Sequence, residues 1–388
     1  MSAPRLSSAR LLLAGLSILA SASATAAPPS PWEFQDGDRI VFVGDTFVER
    51  DQRYGYLETV LTLANPDKDL TFRNLGWSGD TVRGLSRAGF DPPEAGFAQL
   101  KEQVLAAKPT VLVVGYGMAD SFDGEAGLSR FVEGYNAFLD AVASTQARLV
   151  LLSPLPHEAM PAPLPDPSAH NRDLKLYAEA VGKIAEERGA AFIDLFTEVG
   201  RARAARAGTA DSAPDTDNGL HPTALGFWRL ATLPAVLPAQ LADSDDSGVR
   251  RLPLPAAPGS SADPTGRWFF GPQGLAPGLY SLKVDGKAVA TKSAEDWMRG
   301  HWVPNDPELV QVEALRAAIN AKNLLFFYRW RPQNITYLFG FRKHEQGRNA
   351  VEIPQFDPLV DAKEREIAEL RKPVEHTYEL VREVESSR

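Results

Sequence analysis

The segment Arg39-Ile40-Val41-Phe42-Val43-Gly44-Asp45-Thr46 decides the fold. Four consecutive apolar residues, three of them β-branched, stop abruptly at Gly-Asp-Thr. The run is too short for an independent helix and reads as a buried strand. In open α/β sheets ligands bind at the carboxyl ends of the strands, so Thr46 is delivered to the mouth of a sheet. Taken alone, the same triplet is equally a Thr that caps the next helix. The choice between the two depends on the rest of the chain.

Outward from this strand, apolar runs at 70–75, 110–115, 148–153 and 191–196 alternate with helical patterns at 51–65, 95–107, 127–144, 171–188 and 223–237. Strand–helix alternation implies a parallel sheet with helices on both faces, here a five-stranded three-layer α/β/α sandwich over residues 36–240. The stretch 241–266, Asp- and Ser-rich and then Pro- and Gly-rich, reads as a linker or a meandering surface loop. Beyond it, residues 267–372 form a small C-terminal α+β extension. There Asp285-Gly286 sits between two alternating runs as a hairpin turn, and a helix is expected near 306–322. An amphipathic helix over 360–370 carries an apolar seam at Val360, Ile367 and Leu370. Pro373 ends it, and the last residues of the 373–388 tail are expected to fray.

Composition narrows the partners. The 388-residue chain is 44% hydrophobic and carries a net charge of −9, without the basic footprint that a nucleic acid or an anionic membrane requires. It has no cysteine, which excludes disulfides and thiolate metal sites, and no His/carboxylate pair has ligand spacing on one element, so neither metal nor cofactor is expected. Arg5 and Arg10 precede an apolar run at 11–20 and small residues through Ala26, the pattern of a signal peptide over 1–26. Export to a periplasm or the medium is the expectation, with a retained N-terminal anchor as the alternative. No stable membrane span is expected elsewhere.

Four short pieces fall at strand ends or before a helix: Gly44-Asp45-Thr46, Gly76-Trp77-Ser78-Gly79-Asp80, Gly115-Tyr116-Gly117-Met118-Ala119-Asp120 and Asp217-Asn218-Gly219-Leu220-His221-Pro222. In this order they resemble the SGNH (GDSL-type) hydrolase superfamily, a flavodoxin-like group of esterases, lipases and carbohydrate acyl esterases. The resemblance covers about residues 36–238 and is closest to exported, planctomycete-type members. These share Phe72-Arg73-Asn74-Leu75-Gly76-Trp77-Ser78-Gly79-Asp80-Thr81, Thr216-Asp217-Asn218-Gly219-Leu220-His221, Arg331-Pro332-Gln333-Asn334 and Phe341-Arg342-Lys343-His344-Glu345-Gln346.

The resemblance implies an ester hydrolase acting on a small ester or acylated carbohydrate, with Thr46 as nucleophile where the superfamily has Ser. It puts the base on His221, oriented by Asn218 or Asp217, and the oxyanion hole on the N–H groups of Thr46 and Gly79. Asp45, Trp77, Asp80, Ala119, Asp120 and His157 line the substrate side in this reading. The departures have consequences. A hydroxyl needs a positioned base, and the extra methyl of Thr restricts its rotamers. Ala119 replaces the Asn that donates to the oxyanion, a loss of about 10²–10³ in rate in a related case. Asn218 is expected to accept from the imidazole N–H but supplies no charge to the imidazolium. The alternative function is a catalytically impaired SGNH-fold protein that binds glycans.

Three other features stay open on sequence grounds. Arg83 and Arg87 could hold an anionic substrate group or make surface ion pairs. Trp77 fits either the core or a pocket wall. The stretch from Tyr328 to Asn334 and Arg342-Lys343-His344-Glu345 puts arginines beside aromatics. It could stack on sugars, or dock the extension on the core through Trp330 and Phe339. If it folds back over the strand ends it could supply the donor that Ala119 lacks.

Overall fold

Alternation of buried side chains along each strand builds the core of the chain. In a computed structural model, residues 32–383 are described except 90, 239–240, 242–251, 259–266, 270, 272, 304, 333–341, 343 and 346–348. The proposed signal peptide, Phe339 and much of the Arg331–Gln346 stretch therefore lie outside the described residues. Strands β1 (Arg39–Gly44), β2 (Thr71–Asn74), β3 (Val111–Gly115), β4 (Arg148–Leu152) and β5 (Ala191–Ile193) form one sheet in the order β2-β1-β3-β4-β5. Every pairing in it is parallel. Ile40 and Phe42 enter one apolar cluster with Val60, Leu61 and Phe227, while Val41 and Val43 enter the other with Leu100, Phe138 and Val181. The sheet is thus covered on both faces, as near-continuous apolar strands require.

The helices of this sandwich are α1 (Thr46–Asp51), α2 (Tyr56–Ala64), α3 (Pro93–Ala107), α4 (Gly124–Val142), α5 (Ser168–Arg188), α6 (Leu195–Arg206) and α7 (Ala224–Ala231). Two differences from the sequence reading have local causes. The helix expected over 51–65 corresponds to α2, which begins only after Gly55 at φ +66, and α1 is a separate helix ahead of it. Helix α6 was not expected at all. Asp194 ends the fifth strand early and caps α6 by accepting from Thr197 N–H at 3.0 Å.

The C-terminal part continues with β6 (Arg267–Phe269), β7 (Leu279–Val284), β8 (Lys287–Ser293), α8 (Ala294–Arg299), β9 (His301–Val303), α9 (Pro307–Trp330), α10 (Phe356–Leu370) and β10 (Tyr378–Arg382). The β7–β8 hairpin turns at Asp285 and Gly286, both with positive φ. Helix α9 runs through 324–330 as one element, longer than expected. It lies along α2 and β2, where the fully buried Lys322 ammonium meets Glu58 at 2.7 Å and donates to the Phe72 carbonyl at 3.1 Å. Glu364 of α10 pairs with Arg73 of β2. These helices blunt the sheet edge that β2 would otherwise leave open.

Within the 373–388 tail, residues 378–382 pair antiparallel with β7 as the third strand of a small sheet. Within 241–266, Leu252 is buried beside Leu63, Leu315 and Ile319, and the Pro255 carbonyl accepts from the Trp228 indole. No helix among the described residues is long and apolar enough to cross a membrane.

Candidate active site

The site forms where β1 and β3 end side by side. Gly44 and Gly115 are direct register partners, and a Cβ on Gly44 would sit 2.3 Å from the Gly115 carbonyl oxygen. Only glycine allows this approach, which brings the chain out of β1 directly into α1. Asp45, not Thr46, caps α1: its carboxylate accepts from Phe47 N–H at 3.1 Å. The capping alternative for Thr46 is thereby answered, and its hydroxyl is left at the mouth of the sheet. Burial, reinforced by the charge of Asp120, pushes the Asp45 carboxyl up to about 7.

The loop after β2 comes to meet this hydroxyl. A Cβ on Gly76 would lie 2.2 Å from the Glu49 backbone nitrogen, so the loop crosses α1 at backbone contact. Three residues on, Gly79 N–H donates to Thr46 Oγ1 at 2.8 Å. The Thr46 N–H belongs to the first turn of α1, whose amides have no partner inside the helix.

His221 arrives from the opposite side on a tightly tied loop. Asp215, bonded to Arg203, Arg206 and Arg229, gives its carbonyl to Thr223 N–H. Thr216 is held by Glu158 and in turn accepts from Gly219 N–H. Within the loop, Asn218 Oδ1 accepts from both Leu220 N–H and His221 N–H, at 3.1 and 2.9 Å. That leaves the amide nitrogen of Asn218 facing His221 Nδ1 at 3.1 Å.

The expectation that Asn218 accepts from the imidazole is corrected by this arrangement. Two backbone donors fix which way the amide points, so it donates to Nδ1 and the ring carries its proton on Nε2. Asp217 Oδ1 lies 3.8 Å from Nδ1, while its other oxygen is 2.9 Å from Arg50 of α1. Burial first, then the charge of Arg50, holds the His221 pKa below its ordinary value.

Thr46, Gly79 and His221 line one cavity of about 360 Å³. Asp45, Ala119 and Ser153 share it, and Phe47, Met118, Phe122, Pro154, Leu155 and Leu220 make its apolar wall. Among the described residues no hydrogen bond joins Thr46 to His221; the two face the same space. No polar side chain of the C-terminal part reaches the lining beside Ala119 among the described residues.

The remaining expected substrate residues are placed elsewhere. Asp80 is fully buried and bonds Arg87 at 2.7 Å and the Tyr116 hydroxyl at 3.1 Å, so both it and Arg87 are internal framework. Asp120 accepts from Val82 N–H and lies outside the lining. Trp77 is sandwiched between Arg87 and Arg331 rather than set in the wall. His157 lines a neighbouring pocket with Glu158 and Arg203, its Nδ1 3.1 Å from that of His170. Sequence reasoning missed the apolar wall, although Phe47 and Phe122 lie one and two residues beyond the quoted motifs. It also missed Glu49 and Arg50, which point from α1 to partners distant in sequence.

Comparison with known proteins follows this geometry. Residues 37–229 match the family model described as GDSL-like Lipase/Acylhydrolase. Among solved structures, BT4096, a gut microbial diltiazem-metabolizing enzyme, superposes with a TM-score of 0.64 at 15% identity, covering 91% of this chain and 99% of its own. Axe2, an acetylxylan esterase from Geobacillus stearothermophilus, gives 0.39 at 20% identity over 50% of this chain and 91% of its own. A lipase/acylhydrolase from Enterococcus faecalis gives 0.36 at 20%, over 51% and 93%. No curated protein matches the sequence. The first likeness speaks for a shared fold that includes the C-terminal part.

Proposed function

We propose that this chain, which belongs to the GDSL-like lipase/acylhydrolase family, hydrolyses small esters with an apolar group, slowly, using Thr46 as nucleophile. The observation that carries this reading is the convergence of the Thr46 hydroxyl, the Gly79 N–H and the His221 imidazole on one cavity. In it, Thr46 Oγ1 attacks the ester carbonyl carbon while His221 Nε2 takes its proton. The carbonyl oxygen becomes an oxyanion held by the N–H groups of Thr46 and Gly79. His221 then protonates the departing alcohol, and a water hydrolyses the acyl-threonine with His221 again as base. The Gly79 N–H that rests on Thr46 Oγ1 turns to the oxyanion as negative charge moves there.

The slowness has a physical source. To accept a proton at Nε2 the ring must first move its own proton to Nδ1, where the Asn218 amide offers another donor instead of an acceptor. An amide in place of the orienting carboxylate selects the wrong tautomer and lowers turnover about 10⁴-fold in a related triad. The apolar wall favours an alkyl or aryl group over a sugar, since a pocket meant for hydroxyls would carry more polar partners. Turnover of p-nitrophenyl butyrate, lost in Thr46→Ala and exceeding that of acetylated xylooligosaccharide, is the expected result. Undiminished turnover in Thr46→Ala would sink the reading.

The Asn218 orientation also favours a second reading, a cleft that binds an apolar ester without turning it over. Saturable binding of the same ester, with unchanged affinity in His221→Ala and no product, would decide for it.

A further inference from the structure

The loop that presents Gly79 is tied down one amide at a time. Leu75 N–H donates to the Phe42 carbonyl at 2.7 Å, Gly76 N–H to Asn74 Oδ1 at 2.9 Å and Trp77 N–H to the Gly44 carbonyl at 3.0 Å. All three acceptors belong to the sandwich. The acceptor of the next amide, Ser78 N–H, also lies in the sandwich but is shared with the C-terminal part. This amide donates to Glu49 Oε2 at 2.6 Å, and the same oxygen accepts from Arg331 Nη1 at 2.6 Å. Arg331 is the first residue beyond α9, more than 250 positions away in sequence.

Its guanidinium lies 3.5 Å from the centroid of the Trp77 ring, and Trp330 meets that ring edge-on at 5.9 Å. One arginine of the C-terminal part therefore touches both the helix that carries Thr46 and the loop that carries Gly79. Glu49 is 6% exposed, and a carboxylate so buried needs a counter-charge. Arg331 supplies it, and its planar group stacks on Trp77 in a way that an ammonium does not reproduce.

We propose that Arg331 and Glu49 are positioning residues for the Gly79 amide. Ser78 and Gly79 are exposed, and Gly79 sits at φ +68, where a glycine rotates freely. Holding the Ser78 N–H fixes the Trp77–Ser78 peptide, one unit before the peptide that carries the Gly79 N–H, and so helps to aim that N–H at the reacting oxygen. Neither residue touches the substrate cavity. The Arg-Pro-Gln-Asn stretch thus begins with a residue whose role is to aim the oxyanion donor rather than to bind sugars. The catalytic consequence rests on the ester-hydrolase reading; the geometric claim does not.

The test uses the full-length chain. Arg331→Ala is expected to lower kcat for p-nitrophenyl butyrate about ten- to hundredfold with KM within about twofold, as a misplaced donor does. Arg331→Lys recovers part of the loss. Glu49→Gln, a near-isosteric change that leaves Arg331 unpaired, lowers kcat in the same way, and the double variant is no worse than either single one. Unchanged kcat in both single variants, or losses that simply add, would overturn the proposal. If the unmodified chain turns over no ester, the hydrolase reading falls, and amide exchange alone judges the positioning claim. Faster exchange at Ser78 and Gly79 in Arg331→Ala upholds it; unchanged exchange overturns it.

Discussion

The two walls of the cavity are built to different standards. On the nucleophile side, Thr46 sits one residue past a capped turn, and the loop carrying Gly79 has its amides held from 75 to 80. On the base side, the loop carrying His221 is held as firmly, yet the group beside the imidazole is an amide that donates where catalysis needs an acceptor. Position and chemistry have therefore come apart. Under the proposed reading, the scaffold brings Thr46, Gly79 and His221 to one cavity, while Asn218 and Ala119 withhold the charge and the donor that would make it fast.

Restoring those two groups is the most direct way to break that contrast. Asn218→Asp keeps an acceptor for the Leu220 and His221 N–H groups and turns its second oxygen to Nδ1. It is expected to raise kcat about 10²-fold or more by stabilising the Nδ1–H tautomer and the imidazolium. Steady-state kinetics on p-nitrophenyl butyrate would show it, and a flat or lower kcat would mean that the tautomer does not limit turnover. Ala119→Asn places an amide in the cavity lining and should raise kcat about tenfold, less than a preorganised donor would give. A gain confined to KM would show that the new side chain binds the substrate without meeting the oxyanion.

The smallest effect probes the link between the walls. Arg50 of the nucleophile helix holds Asp217 of the base loop, and its charge helps to keep His221 from protonating. His221 acts as base only when neutral, so activity is lost as pH falls through its pKa, which lies below the ordinary histidine value. Arg50→Ala removes a cation and frees Asp217, both of which favour the imidazolium. The acid limb of kcat/KM is then expected to move to higher pH. A limb that stays in place would show that burial alone sets it.

Much of this was legible in the chain itself. Strands buried on both faces declare themselves as unbroken apolar runs, so the five-stranded sheet and the residues at its carboxyl edge could be read from local pattern. The roles proposed for Thr46 and His221 came instead from the resemblance of the four motifs to the SGNH superfamily. Asp80 and Trp77 were misassigned for a related reason: proximity to a motif in sequence says nothing about which way a side chain turns. Asp80 turns inward to Arg87, and Trp77 lies against both Arg87 and Arg331. The tail strand at 378–382 was missed because its short, polar sequence gains order only from its partner β7.

The sequence by itself determined the layered sheet and the order of the loops at its mouth, and the resemblance it carries pointed to the two side chains proposed to react. Periodicity, glycine and capping act over a few residues, and that is the range a linear chain records. The tertiary structure alone decided what those side chains do. The amide of Asn218 is oriented by two backbone N–H groups, the hydroxyl of Thr46 is met by a glycine from another strand, and the loop that brings this glycine is steadied by Arg331 from the end of a distant helix. Hydrogen bonds and ion pairs act over a few ångströms, so which of them form depends on contacts between segments that are far apart along the chain.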